Sequence, residues 1–302
     1  MIVNPEKDTL VSVIVPVYND AQRIGKCIEA LLNQTYPKEK YEIIIVDNGS
    51  TDETREVIKK YPVKLLIEDK IQSSYAARNK GILNADGEVI AFTDADCIPA
   101  SDWIDKGVRY LFQIPNCGLI GGKIKLFCDD PAKPKAVELY DILMGFNQKK
   151  DIEKYKYGST ANVFTLKQVF NTVGLFKADL KSGGDNEWGR RVCYYGYTQI
   201  YAADVVVDHP ARGSFRQLHN RVIRLVGGNY DQGENKLKFI GNSLKSNRNS
   251  IALITRIILN MNPANQLAGI IQKMKFILVC IYVEFVRNYE RVRLLLGGYS
   301  KR

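Results

Sequence analysis

The chain has 302 residues, 45% hydrophobic and 25% charged, an ordinary soluble globular composition that can bury one large α/β domain or two smaller ones. Its net charge of +10 is lopsided: from Pro210 onward sixteen Lys and Arg face four Asp and Glu, a local +12, whereas Met1–His209 carries −2. Six scattered cysteines with no C-x-x-C pair exclude a disulfide scaffold and read as reduced thiols of a cytosolic protein, and with only two histidines they serve zinc chemistry poorly.

Met1–Thr9 holds Pro5 and charges but no apolar core, so no secretory signal is expected. Leu10–Val17 is an apolar, β-branched run of strand length, followed by Asn19-Asp20 as helix-start chemistry. Ile24, Cys27, Ile28, Leu31 and Leu32 then recur at helical spacing. Tyr41–Val46 reads as a second strand, and Ser50 with Glu53 as a capping box opening a helix that ends near Tyr61-Pro62. Val63–Ile67 is a third strand, Ser74–Ala85 a helix and Val89–Thr93 a fourth strand. This alternation predicts a parallel sheet with helices on both faces.

The second half is more mixed. Strands are expected at Leu119–Leu126, Ala161–Thr165 and Gln199–Val207, and helices at Ala136–Phe146 and Asn186–Tyr195. After His209-Pro210 helical periodicity takes over. Two apolar stretches follow, Ile251–Leu259 and Phe276–Val286, the latter far short of the roughly 20 residues that span a bilayer. Lys273, Lys275, Arg287, Arg291 and Arg293 flank the second, which suits a helix lying in an anionic membrane interface; a core helix with a solvated basic face is the alternative. Arg212, Arg216, Arg221 and Arg224 fall on a predicted helix and are candidates for phosphates of a membrane or of a lipid-linked acceptor.

Three features carry chemistry. The ends of the first two strands, Pro16-Val17-Tyr18-Asn19 and Asp47-Asn48-Gly49-Ser50, lie where open α/β sheets bind ligands, although Asp-Asn-Gly is also a good turn. Asp94-Ala95-Asp96, directly after an apolar strand, can share a hard divalent cation, Mg²⁺ or Mn²⁺, with diphosphate oxygens. Gly183-Gly184-Asp185 leads into a helix, where Asp185 serves as N-cap or as a general base, with Glu187 its competitor for the second role. No G-x-G-x-x-G follows the first strand, and neither a P-loop nor a G-x-S-x-G elbow occurs.

Taken in order, Val13–Asn19, Gln34-Thr35-Tyr36-Pro37, Ile45–Asp52, Ala77–Gly81, Ala91–Asp96 and Gly184–Glu187 resemble the motifs of the family 2 inverting glycosyltransferases. The resemblance covers residues 10 to about 210 and implies a GT-A fold: α/β, Rossmann-like, a mostly parallel central sheet flanked by helices, here with a helical basic C-terminal extension. It divides the chain into a catalytic domain, 1–210, and a C-terminal region, 211–302.

The resemblance also implies roles. Pro16, Val17, Tyr18 and Asp47 hold the base of a UDP-sugar, Arg78 and Asp94 the rest of the nucleotide-sugar. Asp96 and His209 are the metal candidates for Mn²⁺ or Mg²⁺, and Asp185 is the catalytic base. Many relatives have Glu-Asp where this chain has Gly184-Asp185. The implied activity is metal-dependent, inverting transfer of a sugar to a hydroxyl of a glycan or lipid-linked acceptor in cell-surface polysaccharide synthesis. The expected setting is cytoplasmic, peripheral on the inner face of the membrane, with no nucleic-acid partner. The alternative is a nucleotide-sugar-binding protein of the same fold without turnover.

Overall fold

The computed structural model describes residues 9–128, 130–232, 255 and 269–300. The apolar stretch at Ile251–Leu259 lies, Thr255 apart, outside the described residues.

β1 (Val11–Val17) is buried at all seven positions, as a continuous apolar run must be when both sheet faces are covered. α1 (Ile24–Leu32) follows and buries Ile24, Cys27, Ile28 and Leu31. β2 (Tyr41–Asp47), α2 (Thr54–Ile58), β3 (Lys64–Ile67), α3 (Ser74–Leu83) and β4 (Val89–Thr93) complete the alternating half. The capping box expected at Ser50 and Glu53 does not form. Ser50 Oγ instead accepts from the Asn19 backbone N–H at 2.9 Å, and Asp52 Oδ1 accepts from the Thr54 N–H at 3.1 Å. A contact 31 residues away in sequence thus took the cap's oxygen.

The second half adds β5 (Ile98–Pro99), α4 (Trp103–Gln113), β6 (Cys117–Phe127), α5 (Ala136–Met144), α6 (Gln148–Tyr155), β7 (Asn162–Leu166), α7 (Lys167–Val173), α8 (Gly184–Tyr194) and β8 (Thr198–Pro210). The eight strands form one sheet in the order β3-β2-β1-β4-β7-β6-β8-β5. Pairing is parallel across β3-β2-β1-β4, as the alternation predicts, whereas β7 pairs antiparallel with β4 and β6, and β5 antiparallel with β8. The sheet is therefore mixed beyond β4.

From β1 the chain first builds outward through β2 and β3, then returns to add β4 on the other side. The carboxyl ends of β1 and β4 flank this reversal, where open sheets leave a ligand crevice. Register sets Val17 opposite Asp47, so the loops after β1 and β2 are neighbours. Beneath them, Trp103 Nε1 donates to Asn162 Oδ1 at 2.9 Å, and Asn162 Nδ2 donates to the carbonyls of Lys123 and Val205 at 3.0 Å each. A buried amide with its bonds satisfied ties α4, β7, β6 and β8 into one register.

The chain divides into two compact units. One holds the chain up to Lys125 with Asn147–Asp179 and Gly184–His209; the other holds Leu126–Phe146, Leu180–Gly183 and the chain from Pro210 onward. The second contains α9 (Phe215–Asp231) and α10 (Gly269–Leu295), which pack with α5 around Val137, Leu218, Val222, Phe276, Val283 and Leu294. No described helix is long and apolar enough to cross a membrane.

Arg212 precedes α9 rather than joining it, and its charge is already engaged. Its Nη1 lies 3.0 and 2.9 Å from the two oxygens of Asp141, whose side chain is fully buried, and its backbone N–H donates to the same carboxylate at 3.0 Å. Asp141→Ala is expected to destabilise the protein by about 3 kcal/mol in urea titration, because it strands a cation held in a largely dry setting.

Candidate active site

Each loop at the carboxyl edge of the parallel strands presents polar groups held by backbone geometry. Pro16 and Val17 are buried in β1, and the Val17 carbonyl accepts from the Asn48 N–H at 2.8 Å. Tyr18, just beyond them, is half exposed. Asn19 takes φ +49°, and its Oδ1 accepts from the Thr51 N–H at 2.8 Å, lacing the two loops together.

Asp47 is fully buried at the end of β2. Its Oδ2 accepts from the N–H groups of Gly49 and Ser50, at 3.3 and 3.2 Å, and from Arg55 Nε at 2.7 Å. Its Oδ1 is buried with no hydrogen-bond partner among the described residues. A buried acceptor left unpaired costs on the order of 1–3 kcal/mol, so this oxygen marks a place where a donor group fits.

Arg78, buried on α3, meets Asp94 after β4: Nη2 lies 2.6 Å from Asp94 Oδ1, and its Nε is a second buried group without a partner among the described residues. Two positions on, Asp96 is held from both sides. Arg23 Nη1 approaches its Oδ2 at 3.0 Å while Arg23 Nε pairs with Asp20 at 2.7 Å. His209 Nε2 lies 3.6 Å from Asp96 Oδ1. Antiparallel pairing of β5 with β8 causes that meeting, since it sets Ile98 opposite Asp208 and brings the end of β8 to the Asp94-Ala95-Asp96 turn.

Ligand atoms of Asp96, Cys97 and His209 all lie within 4.8 Å of one another. A carboxylate and an imidazole suit a divalent cation such as Mn²⁺. The Cys97 thiol does not. Its soft sulfur is a poorer match for such a hard cation, and burial, together with the charges of Asp94 and Asp96, pushes its pKa well above the ordinary value.

Asp185 stands in the first turn of α8, half-buried, with its Oδ1 accepting from the Asn186 N–H at 2.9 Å. Burial raises its pKa; the Asn186 N–H and the Arg78 charge pull it down, and the Asp94 charge pushes it up. Arg78 and Asp94 are thus its electrostatic neighbours. Gly184 packs on the Tyr75 ring of α3 so closely that an added Cβ would sit 2.8 Å from it, so a side chain at this position would have to displace the ring. Glu187 is spoken for: it pairs with Arg191 at 2.9 Å and with Lys177 at 3.2 Å.

The fold therefore brings Arg78, Asp94 and Asp185 together, and Asp96 with His209. Sequence reasoning missed Asp20 and Arg23, and also Asp151 and Tyr157. The last two hydrogen-bond to each other, and their pKa values are raised chiefly by burial, with the charge of nearby Asp185 also contributing. No local pattern marks these residues. Arg23 meets Asp96 across 73 positions, a meeting created only by sheet order.

This sheet, with carboxylates gathered at its switch point, defines a GT-A transferase fold. Residues 12–174 match the family described as Glycosyl transferase family 2. The chain is 40% identical over 223 residues to the glycosyltransferase AglE of Haloferax volcanii, covering 72% of each chain. It is 27% identical over 227 residues to a dolichyl N-acetyl-alpha-D-glucosaminyl phosphate 3-beta-D-2,3-diacetamido-2,3-dideoxy-beta-D-glucuronosyltransferase of Methanococcus voltae, covering 70% of each.

Among solved structures, the mannosyltransferase PcManGT of Pyrobaculum calidifontis, in complex with GDP-Man and Mn²⁺, shares the fold. Its TM-score is 0.58 at 19% identity, covering 96% of this chain and 76% of that one. S. aureus TarS 1–349 in complex with UDP-GlcNAc gives 0.54 at 17% identity, covering 97% and 93%. The chain belongs to glycosyl transferase family 2 and is a glycosyltransferase.

Proposed function

We propose that the chain transfers a sugar from a nucleotide-sugar, a UDP-sugar, to a hydroxyl of a glycan or lipid-linked acceptor, with inversion at the anomeric carbon. Its setting is cell-surface polysaccharide synthesis at an anionic membrane surface. The observation that carries this reading is the packing of Gly184 on Tyr75 of α3, one turn before Arg78, which sets Asp185 on the side of the Arg78–Asp94 pair whose charges act on it.

In this reading the loops after β1 and β2 take the base, with Asp47 Oδ1 as the waiting acceptor and Tyr18 over the ring. Arg78 and Asp94 orient the sugar-nucleotide through the charge-assisted pair they already form. Asp96 and His209 would hold Mn²⁺ or Mg²⁺, which when bound supplies Lewis-acid neutralisation of charge on the diphosphate. Asp185 Oδ accepts the acceptor hydroxyl's proton as that oxygen attacks opposite the leaving group; its raised pKa makes it a stronger base than an ordinary aspartate. Orientation of both reactants in one cleft supplies much of the rate.

The test is a thermal-shift panel of UDP-, GDP- and dTDP-sugars with and without Mn²⁺. The expected result is the largest stabilisation from a UDP-sugar with Mn²⁺. At a hundredfold excess over Kd this amounts to about 2.7 kcal/mol, or several degrees. A panel in which no sugar nucleotide moves Tm would remove the proposal.

A further inference from the structure

α10 has two apolar faces, and among the described residues only one is packed. Phe276, Val279, Val283, Val286 and Leu294 are buried in the core of the second unit. On the opposite side Ile270, Met274, Leu278, Ile281, Phe285 and Val292 are each more than half exposed. At about 100° per residue these six fall within an arc of roughly 80°, a continuous stripe running almost the whole helix. Scattered single apolar residues on a surface need no explanation, but a stripe of this length does.

The charges around it identify the occupant. Lys275 is the only charged residue among the exposed positions of α10. Lys273 and Arg291 follow one edge of the stripe in the helical projection, with Glu284 beside them paired to Arg287, and Lys275 and Arg293 follow the other, Arg293 paired to Glu290, which leaves both edges with a net basic excess. Arg216 is exposed on α9 of the same unit, next in sequence to the half-exposed ring of Phe215, which stacks edge-on against Tyr282 of α10 at 5.1 Å. An apolar stripe between two cationic margins complements acyl chains beneath phosphate headgroups. It is a poor match for a second copy of itself, which would set cation against cation.

We infer that α10 lies in the plane of an anionic bilayer, with this stripe sunk into the headgroup–acyl boundary and its basic margins at the phosphates. The inference deepens the membrane-side reading above and rests on it for the partner, but it uses none of the donor-site residues. One face of α10 holds the second unit together while the other holds that unit to lipid, so membrane attachment needs no spanning segment.

The test is flotation of the full chain with phosphatidylcholine vesicles, alone or mixed equally with phosphatidylglycerol. Binding to the anionic vesicles, weakened by salt, is expected. Leu278→Asp and Phe285→Asp should each lower partition by roughly tenfold or more, the loss of one inserted large side chain. Both sites are exposed, so thermal melts should match the parent.

Phe285→Trp provides a reading that perturbs nothing: Trp103 and Trp188 are fully buried, so the new indole is the reporter. Its emission should shift to the blue on anionic vesicles and be quenched by brominated acyl chains. Unmoved emission, or Asp variants that float like the parent, would overturn the inference. So would a dimer that Phe285→Asp dissociates and that ignores vesicles, which would assign the stripe to a second copy. UDP-sugar stabilisation, measured on the same preparations, separates the outcomes. Donor binding without flotation removes the docking alone; flotation without donor binding removes the UDP-sugar reading alone.

Discussion

Asp185→Asn is expected to lower kcat by about 10²–10⁴-fold, the usual contribution of a positioned general base, while donor affinity stays near that of the parent. The amide preserves shape and can still accept the Asn186 N–H, so the start of α8 should hold. What it loses is the capacity to take a proton. Glu187 cannot substitute, because Arg191 and Lys177 hold its carboxylate.

The pH profile sharpens the test. A base works only when deprotonated, so with Asp185 raised by burial the acid limb of kcat lies above the ordinary aspartate range, and activity climbs as pH rises through it. Arg78 restrains that rise, so Arg78→Gln should move the limb further to alkaline pH. Single-turnover transfer across a pH series reads both effects. Asp185→Asn turnover within tenfold of the parent would remove the assignment.

Asp96→Ala is expected to abolish the extra stabilisation that Mn²⁺ gives in the presence of UDP, and to reduce transfer about 10³-fold, as the loss of several kcal/mol of charge neutralisation requires. The unliganded fold should be nearly unaffected. Arg23, the partner on one side, is half exposed, and such pairs contribute about 0–1 kcal/mol. Melting curves with and without Mn²⁺ separate a lost ligand from a lost fold: the parent shifts, the variant melts at the same temperature in both. A variant that still gains stability from Mn²⁺ would place the cation elsewhere.

The alternating half was legible because its physics is local. β1, β2 and β4 are apolar runs that a doubly covered sheet demands, and α1 repeats its buried residues at helical spacing. α4, α6, α7 and β5 went unread. β5 is only two residues long and exists because β8 lies beside it, and α6 is mostly charged, with only Gln148 and Ile152 buried. The antiparallel turn of the sheet beyond β4 was likewise invisible, since strand direction follows from tertiary connections rather than residue type.

At the site, motifs pointed to single residues but not to their neighbours. Ordered strand ends made Asp47, Asp94 and Asp96 visible. The Arg23 bridge, the Asp151–Tyr157 pair and the ring under Gly184 depend on which elements meet, and no spacing encodes that.

The thiols beside the carboxylates have a consequence for chemistry the enzyme does not perform. Cys27, whose Sγ donates to the Asp94 carbonyl at 3.5 Å, and Cys97 are both fully buried, and burial plus adjacent negative charge keeps them protonated. Burial also pushes Cys117 up to about 11 and Cys280 up to about 12. An alkylating electrophile therefore meets partly exposed Cys128 and Cys193 first and reaches the other four only when the fold opens. The kinetics of their modification are a clock for that opening, ticking from inside each of the two units.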